Sequence, residues 1–293
     1  MNGQWSYNSN NTGVQASTCT ASGSYSTAMG DGTTASGDYS TSMGRSTAAS
    51  ALYSTAMGRS TAASALYSTA MGYGTDASGY FSTAMGSSTT ASALYSTAMG
   101  DGTIASGSRS TAMGSYTTAS DYASLSIGRY NSVNSTVTAG GSATSFDTDN
   151  AALVIGNGTG SSTKSDAFVV YFNGNATLSG DLTINSDERL KDNIQPLGST
   201  LNKLHQIEGK TYSFKKDEEH TPKIGVLAQE VQAVFPELVT EGGDGILSVN
   251  YQGLVPVLIN AINEQDAKIA ALEEMVRFLA VQQSQTTSTV AAN

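Results

Sequence analysis

Ser186 and Lys191, a hydroxyl and an amine five residues apart, are the residues of this chain best suited by type to do chemistry. A serine becomes a nucleophile when a neutral amine within hydrogen-bond reach takes its proton. In Ser186-Asp187-Glu188-Arg189-Leu190-Lys191, Lys191 is the nearest candidate for that general base. Five residues along a helix turn the chain by about 500°, which leaves the two side chains roughly 140° apart. They meet only if Ser186 occupies an extended or capping position ahead of a short turn. Its hydroxyl then stands beside the preceding peptide bond, Asn185-Ser186. The competing reading is that Ser186 caps a helix whose first turn carries Asp187 and Glu188, with Lys191 solvated.

Little else in the chain offers chemistry. Cys19 is the sole cysteine, so neither an intrachain disulfide nor a cysteine metal site can form. His205 and His220 read as solvated surface, and no metal or cofactor is expected. Gly156-Asn157-Gly158-Thr159-Gly160 is superficially like a phosphate-binding loop, but it lacks the Lys-Ser/Thr ending and a following helix, and reads as a turn. No paired-carboxylate or acid-base site stands out in residues 1–185, so no activity on an external substrate is expected. The net charge of -10 and the lack of a basic cluster exclude nucleic acid as a partner. Met1–Tyr7 has neither the basic nor the apolar run of a secretory signal. No segment is long and apolar enough to span a membrane as a helix, and no membrane insertion is expected.

What must position the dyad is a chain of two compositions. From Ala21 to about Tyr130 the sequence repeats every 14 residues, with Gly30, Gly44, Gly58, Gly72, Gly86, Gly100, Gly114 and Gly128 marking the phase. Methionine precedes the first seven glycines, and Ile127 the last. Gly, Ser and Thr at this density exclude helical repeats. Ser-Thr-Ala-Met-Gly alternates small and larger residues as a strand does, with glycine permitting a turn, so each repeat predicts one solenoid coil of two strands of about five residues with glycine corners. Ala28, Ala56 and Ala70 suit a narrow interior. The methionines then face outward as an apolar column, which marks an interface. Tyr25, Tyr39, Tyr53, Tyr67, Phe81 and Tyr95 stack coil on coil, either as a stabilising ladder or as a glycan-binding face, the ladder being favoured. Asp31, Asp38, Arg45, Arg59, Asp76 and Asp101 vary between repeats and read as solvated corners.

After Tyr130 the period fades. Ala151–Ile155 and Ala167–Phe172 predict strands, and Asn175–Asn185 alternates weakly toward the dyad. Past Ser186 the pattern is α+β. Leu197, Leu201 and Leu204 share a helical face, and Thr211–Phe214, Ile224–Leu227 and Ile246–Val249 read as strands around a helix near Ala228–Phe235, with Lys215–Pro222 a charged turn. Over 254–282, Val255, Leu258, Ile262, Gln265, Ile269, Leu272, Val276 and Leu279 follow the 3-4 spacing of a coiled-coil seam with one polar layer; β-branched residues at a and Leu at d would alone favour two strands, and an amphipathic surface helix is the alternative.

Ser186–Ile194, Gly209-Lys210-Thr211-Tyr212-Ser213-Phe214, Gly225–Val231, Phe235-Pro236-Glu237 and Ser248-Val249-Asn250-Tyr251 occur in an order that resembles the intramolecular-chaperone auto-processing domain of phage tailspikes and fibres such as the endosialidases. That resemblance implies a trimerising domain that templates the preceding β-rich stalk and then cuts on the N-terminal side of the serine, with Ser186 as nucleophile and Lys191 as general base. The unit Tyr53-Ser54-Thr55-Ala56-Met57-Gly58 resembles the 14-residue head repeats of trimeric autotransporter adhesins, implying a left-handed parallel β-roll assembled as a trimer.

The expected organisation is therefore an N-terminal segment (1–20), a β-roll (21–130), a β-rich neck (131–185) and a small α+β chaperone domain (186–293) ending in a coiled-coil-like helix. The fold class is mainly β. The expected function is a homotrimeric, tailspike-like fibre, carried on a virion or an extracellular injection device, that attaches to a host-surface receptor, a glycan among the candidates. It cleaves itself once at Asn185-Ser186. A bacterial surface adhesin that keeps its C-terminal trimerisation domain is the alternative.

Overall fold

The computed structural model describes residues 6–7, 11–16, 18–215 and 220–290, with side chains through Gln283. Residues 1–5 of the stretch read for a signal and 216–219 of the charged turn lie outside the described residues. The chain divides into two compact units, Met1–Ile184 and Asn185–Asn293. It is mainly β: a solenoid of about eight turns, then a small domain with a C-terminal helix.

Each coil contributes a five-residue strand, from Thr27–Asp31 to Leu125–Arg129, and a two-residue strand, from Thr20–Ala21 to Thr118–Ala119. Each long strand pairs in parallel with its equivalent in the next coil, so that Met57, Met71 and Met85 align, as do Gly58, Gly72 and Gly86. The short strands form a second parallel sheet. The expectation of two five-residue strands per coil is thus corrected, because the remaining residues go into two corners that each hold a left-handed residue. Those corners are not where the marker glycines sit. Gly72 lies inside its strand at φ +121°, and a Cβ there would come 2.0 Å from the carbonyl oxygen of Gly86. The glycine column is needed because successive coils pack backbone on backbone. One corner is taken by Tyr25, Tyr39, Tyr53, Tyr67, Phe81 and Tyr95, all at φ 55–58°, a conformation that costs a non-glycine residue roughly 1–2 kcal/mol.

Alternation along the long strand points Ala28, Ala56 and Ala70 inward, where they are fully buried. From Ala49 to Ala119 the long- and short-strand alanines form a continuous buried thread, alternating between the two sheets, while Ala28 packs with Cys19, Ala21 and Ala35 in a separate cluster. The methionines flank this interior on the outer side and are half-buried. Threonine hydroxyls also point inward, and those of Thr61, Thr75, Thr89 and Thr103 have no hydrogen-bond partner.

The solenoid's far edge is closed by amide side chains. Within the stack, Thr90 N–H donates to the carbonyl of Thr103 in the next coil, and Ser106 and Gly107 N–H both donate to that of Ala119. At the last coil, Asn131 Oδ1 accepts from Thr118 N–H (2.7 Å), and Asn134 Oδ1 accepts from Ser120 and Asp121 N–H (2.7 and 2.6 Å). Buried asparagines so replace the carbonyls of a missing coil and blunt an open sheet edge. The fully buried Asp121 carboxylate accepts from Thr138 N–H, Thr138 Oγ1 and Ala151 N–H, tying down the following loop.

The period does not end at Tyr130. Strand Ala151–Asn157 pairs in parallel with Leu125–Arg129, setting Ile155 beside Ile127 and Gly156 beside Gly128. Gly156 stands two full periods beyond Gly128, so the glycine column resumes after a looped-out insertion. Gly156 and Asn157, read as part of a turn, are therefore strand residues. Strands Asp166–Tyr171 and Ala176–Leu178 complete this sheet antiparallel.

In the second unit a three-residue 3-10 turn, Glu188–Leu190, precedes helices α1 (Leu201–Leu204), α2 (Ala228–Val234) and α3 (Leu254–Val290). Leu197, grouped by spacing with Leu201 and Leu204, lies before α1 and is 49% exposed; Gly198 at φ +68° breaks the helical path. Lys210–Tyr212 pairs with Lys223–Gly225, and Val239–Glu241 with Leu247–Val249. Val231, Phe235 and Val257 form the core, with Leu204, Ile207 and Val226 against it. The apolar seam residues of α3 from Val255 to Leu279 are 46–63% exposed in the single chain.

Candidate self-processing site

The dyad residues meet because of what lies between them. Asp187 is the cap of the 3-10 turn, with φ -62° and ψ 134°, and its carboxylate accepts from Arg189 N–H (2.9 Å), Arg189 Nε (3.0 Å) and Arg189 Nη2 (2.6 Å). This clamp closes a tight three-residue turn, and Lys191 N–H bonds back to the Glu188 carbonyl (3.0 Å). The chain so returns on itself that Lys191 Nζ donates to Ser186 Oγ at 2.7 Å. The capping role considered for Ser186 belongs instead to Asp187. The Arg189 guanidinium holds the Asp187 carboxyl below its usual pKa, helped by Arg189 N–H and by the charge of Lys191.

Ser186 and Lys191 are both exposed in the single chain. In this contact the amine donates; for Ser186 Oγ to lose its proton, the direction reverses and a neutral amine accepts. The carbonyl of Asn185 belongs to the peptide bond that immediately precedes Ser186.

Two further residues hold the segment that follows the dyad, and sequence reading missed both. Glu264 on α3 accepts from Ser199 Oγ (2.9 Å), Thr200 N–H (2.6 Å) and Thr200 Oγ1 (3.1 Å), and Asn260 Nδ2 donates to the Gly198 carbonyl (2.6 Å). Thr200 is completely buried by this arrangement. Ser199-Thr200 ahead of Leu201 is a readable capping signal, but partners so far along the chain leave no local trace.

His205 follows α1, His220 is exposed, and among the described residues no group of three or more His, Cys, Asp and Glu could hold a metal ion. No helix of the described residues is long and apolar enough to cross a membrane. The ladder rings stack at 4.8–5.1 Å between centroids, so each inner face is covered by the next ring and only edges and hydroxyls remain open.

Ser186 is also the first residue of a family match: residues 186–240 carry a domain of the family described as chaperone of endosialidase. Upstream, residues 21–47, 49–75, 77–103 and 105–131 each match the YadA head domain repeat, two copies at a time. The chain thus joins YadA-type head repeats to an endosialidase-type chaperone domain, in that order. Among individual proteins it is homologous to long tail fiber protein Gp37. It is 39% identical over 97 residues to that of Escherichia phage AR1, covering 30% of this chain and 9% of the relative. For Salmonella phage S16 the identity is 32% over 122 residues, 36% of this chain and 16% of the relative. For Enterobacteria phage K3 it is 30% over 155 residues, 48% of this chain and 12% of the relative. The chain spans no more than about a sixth of these relatives' length.

Proposed function

We propose that this chain is part of a homotrimeric tail fibre of a phage or phage-like injection device, in which residues 186–293 template the trimer and then cut themselves free at Asn185-Ser186. The observation that carries the reading is the 2.7 Å contact between Lys191 Nζ and Ser186 Oγ at the first residue of the chaperone-type domain. The phage long tail fiber relatives support a place on a virion, where the upstream solenoid would meet a host-surface receptor.

A left-handed, three-chain β-roll is supported by the head-repeat match and by the thinness of each coil's interior. Two alanine methyls per coil amount to roughly 1–2 kcal/mol of apolar burial, little for fourteen ordered residues. Burying the methionine columns between chains supplies what the interior lacks. The apolar seam of α3, about half exposed, supports association between chains; its a/d residues alone would favour two strands, so the three-fold count rests on the head-repeat and chaperone-domain matches.

The repeat itself creates a need for a template. Sliding one chain against another by one coil restores almost every Ala, Met, Gly and Tyr contact, so register within the solenoid is nearly degenerate. A non-repeating trimeric domain at the end sets that register and raises the local concentration of strands whose pairing is non-local and slow.

Cleavage follows assembly. Neutral Lys191 takes the proton of Ser186 Oγ, which attacks the carbonyl carbon of Asn185. The Asn185–Ser186 C–N bond breaks, its nitrogen is protonated to the free amine of Ser186, and the acyl group rests as an ester on Oγ. Water hydrolyses the ester, giving the Asn185 carboxylate and the Ser186 alcohol. Burial favours a neutral lysine, and because the single chain leaves the dyad exposed, the trimer is the state that supplies burial.

The head-repeat match also favours a second reading, a bacterial surface adhesin with a retained chaperone domain. Sedimentation of the full chain, of residues 1–185 expressed alone and of purified virions tests the primary reading. A trimeric full chain, an unassembled 1–185 fragment and the protein in virions are expected; a monomeric full chain would overturn it.

A further inference from the structure

Helix α3 has two occupied roles on opposite faces. With Val255, Ile262, Ile269 and Val276 at a, and Leu258, Gln265, Leu272 and Leu279 at d, Asn260 falls at f and Glu264 at c, on the side away from the seam. That outer side already carries cargo in the single chain. Glu264 gathers four hydrogen bonds from Ser199, Thr200 and Leu201, and Asn260 bonds the Gly198 carbonyl, Thr200 Oγ1 and Glu264 Oε1. Before this anchor, Ser186 to Ser199 is exposed throughout, and the side-chain bonds around the dyad run within its own short segment, from Ser186 to Asn193.

We propose that Glu264 and Asn260 are positioning residues for self-cleavage: they fasten the dyad-bearing segment to the outer face of α3, so that packing the a/d face confines Ser186 and Lys191 against the assembled domain. The inference rests on the self-cleavage reading above and adds to it the route by which assembly reaches the dyad. From Lys191 to the anchor at Gly198 the chain has seven residues, at most about 25 Å when extended. Without the anchor, the next residue packed on the core is Leu204, thirteen residues from Lys191. Local concentration at a fixed surface falls roughly as the three-halves power of tether length, so the longer tether alone lowers it about 2.5-fold.

The test follows first-order cleavage of the full chain after assembly, well below its unfolding temperature, with trimer content read by sedimentation. The expected results are cleavage about threefold slower or worse in Glu264→Ala and in Asn260→Ala trimers, a rate between these and wild type in Glu264→Gln, and a double variant no slower than the worse single one, because both residues hold one segment. The Gln intermediate and the non-additivity separate anchoring from general loosening of the domain. Assembled Glu264→Ala or Asn260→Ala trimers that cleave at the wild-type rate would overturn the inference while leaving self-cleavage intact. If Glu264→Ala does not assemble, Asn260→Ala decides by the same criterion. A wild-type trimer that never cleaves would overturn both.

Discussion

Ser42 Oγ lies 2.7 Å from Thr47 Oγ1 inside the solenoid, whereas the coils of Thr61, Thr75, Thr89 and Thr103 carry an alanine where Ser42 stands. Those four threonines bury hydroxyls without partners. An unpaired buried hydroxyl costs about 1–3 kcal/mol, and a restored hydrogen bond contributes roughly 0.5–1.5 kcal/mol. Ala56→Ser, which gives Thr61 the partner that Thr47 has, is expected to raise stability by about 1 kcal/mol. Ser42→Ala is expected to lower it by a similar amount. Chemical unfolding in the Ser186→Ala background, which is expected to stay in one piece, measures both.

The glycine column makes a sharper demand. At Gly72 an added Cβ would fall 2.0 Å from the Gly86 carbonyl oxygen with φ at +121°. Gly72→Ala is expected to abolish most soluble trimer, since relief requires separating two coils. Gly32→Ser is the control: Gly32 has open space around its Cβ position, and Ser46 holds the equivalent corner at φ 54°. Its soluble trimer yield is expected to match wild type, with stability lowered only by the roughly 1–2 kcal/mol that a left-handed non-glycine residue costs.

Tyr67 separates strain from stacking. It sits at φ 57° between Tyr53 and Phe81, with ring centroids 4.9 Å away on each side. Asparagine tolerates that backbone better, a gain of about 1 kcal/mol, but forfeits two stacked contacts worth about 0.5–1.5 kcal/mol each. Tyr67→Asn is therefore expected to lose on the order of 1 kcal/mol net. A stabilised variant in the same unfolding assay would show that the ladder is not what holds the corners.

Backbone N–H of Thr200, with Ser199 and Thr200 hydroxyls, holds the Glu264 carboxyl below its usual pKa. A folded-state pKa below the unfolded one contributes stability that is present above the unfolded pKa and is lost as pH falls through the folded one. Acid unfolding of the second unit is expected to steepen below about pH 4, near an ordinary glutamate's pKa. Glu264→Gln is expected to flatten that limb while lowering stability at neutral pH; an unchanged acid limb would contradict the assignment.

How much of this was legible follows from range. The repeat phase, the inward alanines and the dyad's turn geometry were readable because each depends on neighbours a few residues away. The two-residue second strand was not, since Tyr in a left-handed corner violates the local preference that would have flagged it; asparagine at Tyr53 would have given the corner away. Gly156 was missed because a looped-out period separates it from Gly128, although the interval of two whole periods preserved the phase. Glu264 and Asn260 were invisible because their partner, Thr200, belongs to a distant part of the chain, and no local pattern links a buried threonine to a carboxylate on the last helix.

Lysine as base and lysine as mere ligand part company at one substitution. Lys191→Arg keeps a cation and a hydrogen-bond donor near Ser186 Oγ, but a guanidinium does not deprotonate. Lys191→Arg is expected to fold and assemble as wild type and to remain uncut by gel analysis; cleavage at the wild-type rate would remove Lys191 from the chemistry.

The most direct measurement is the intact mass and N-terminal sequence of the pieces from purified wild-type trimer, beside Ser186→Ala. The wild type should give two pieces whose masses match Met1–Asn185 and Ser186–Asn293, the smaller beginning at Ser186, and the Ser186→Ala chain should stay whole. A wild-type trimer whose chains remain at 30.1 kDa, or a new N-terminus at any other residue, would contradict the account.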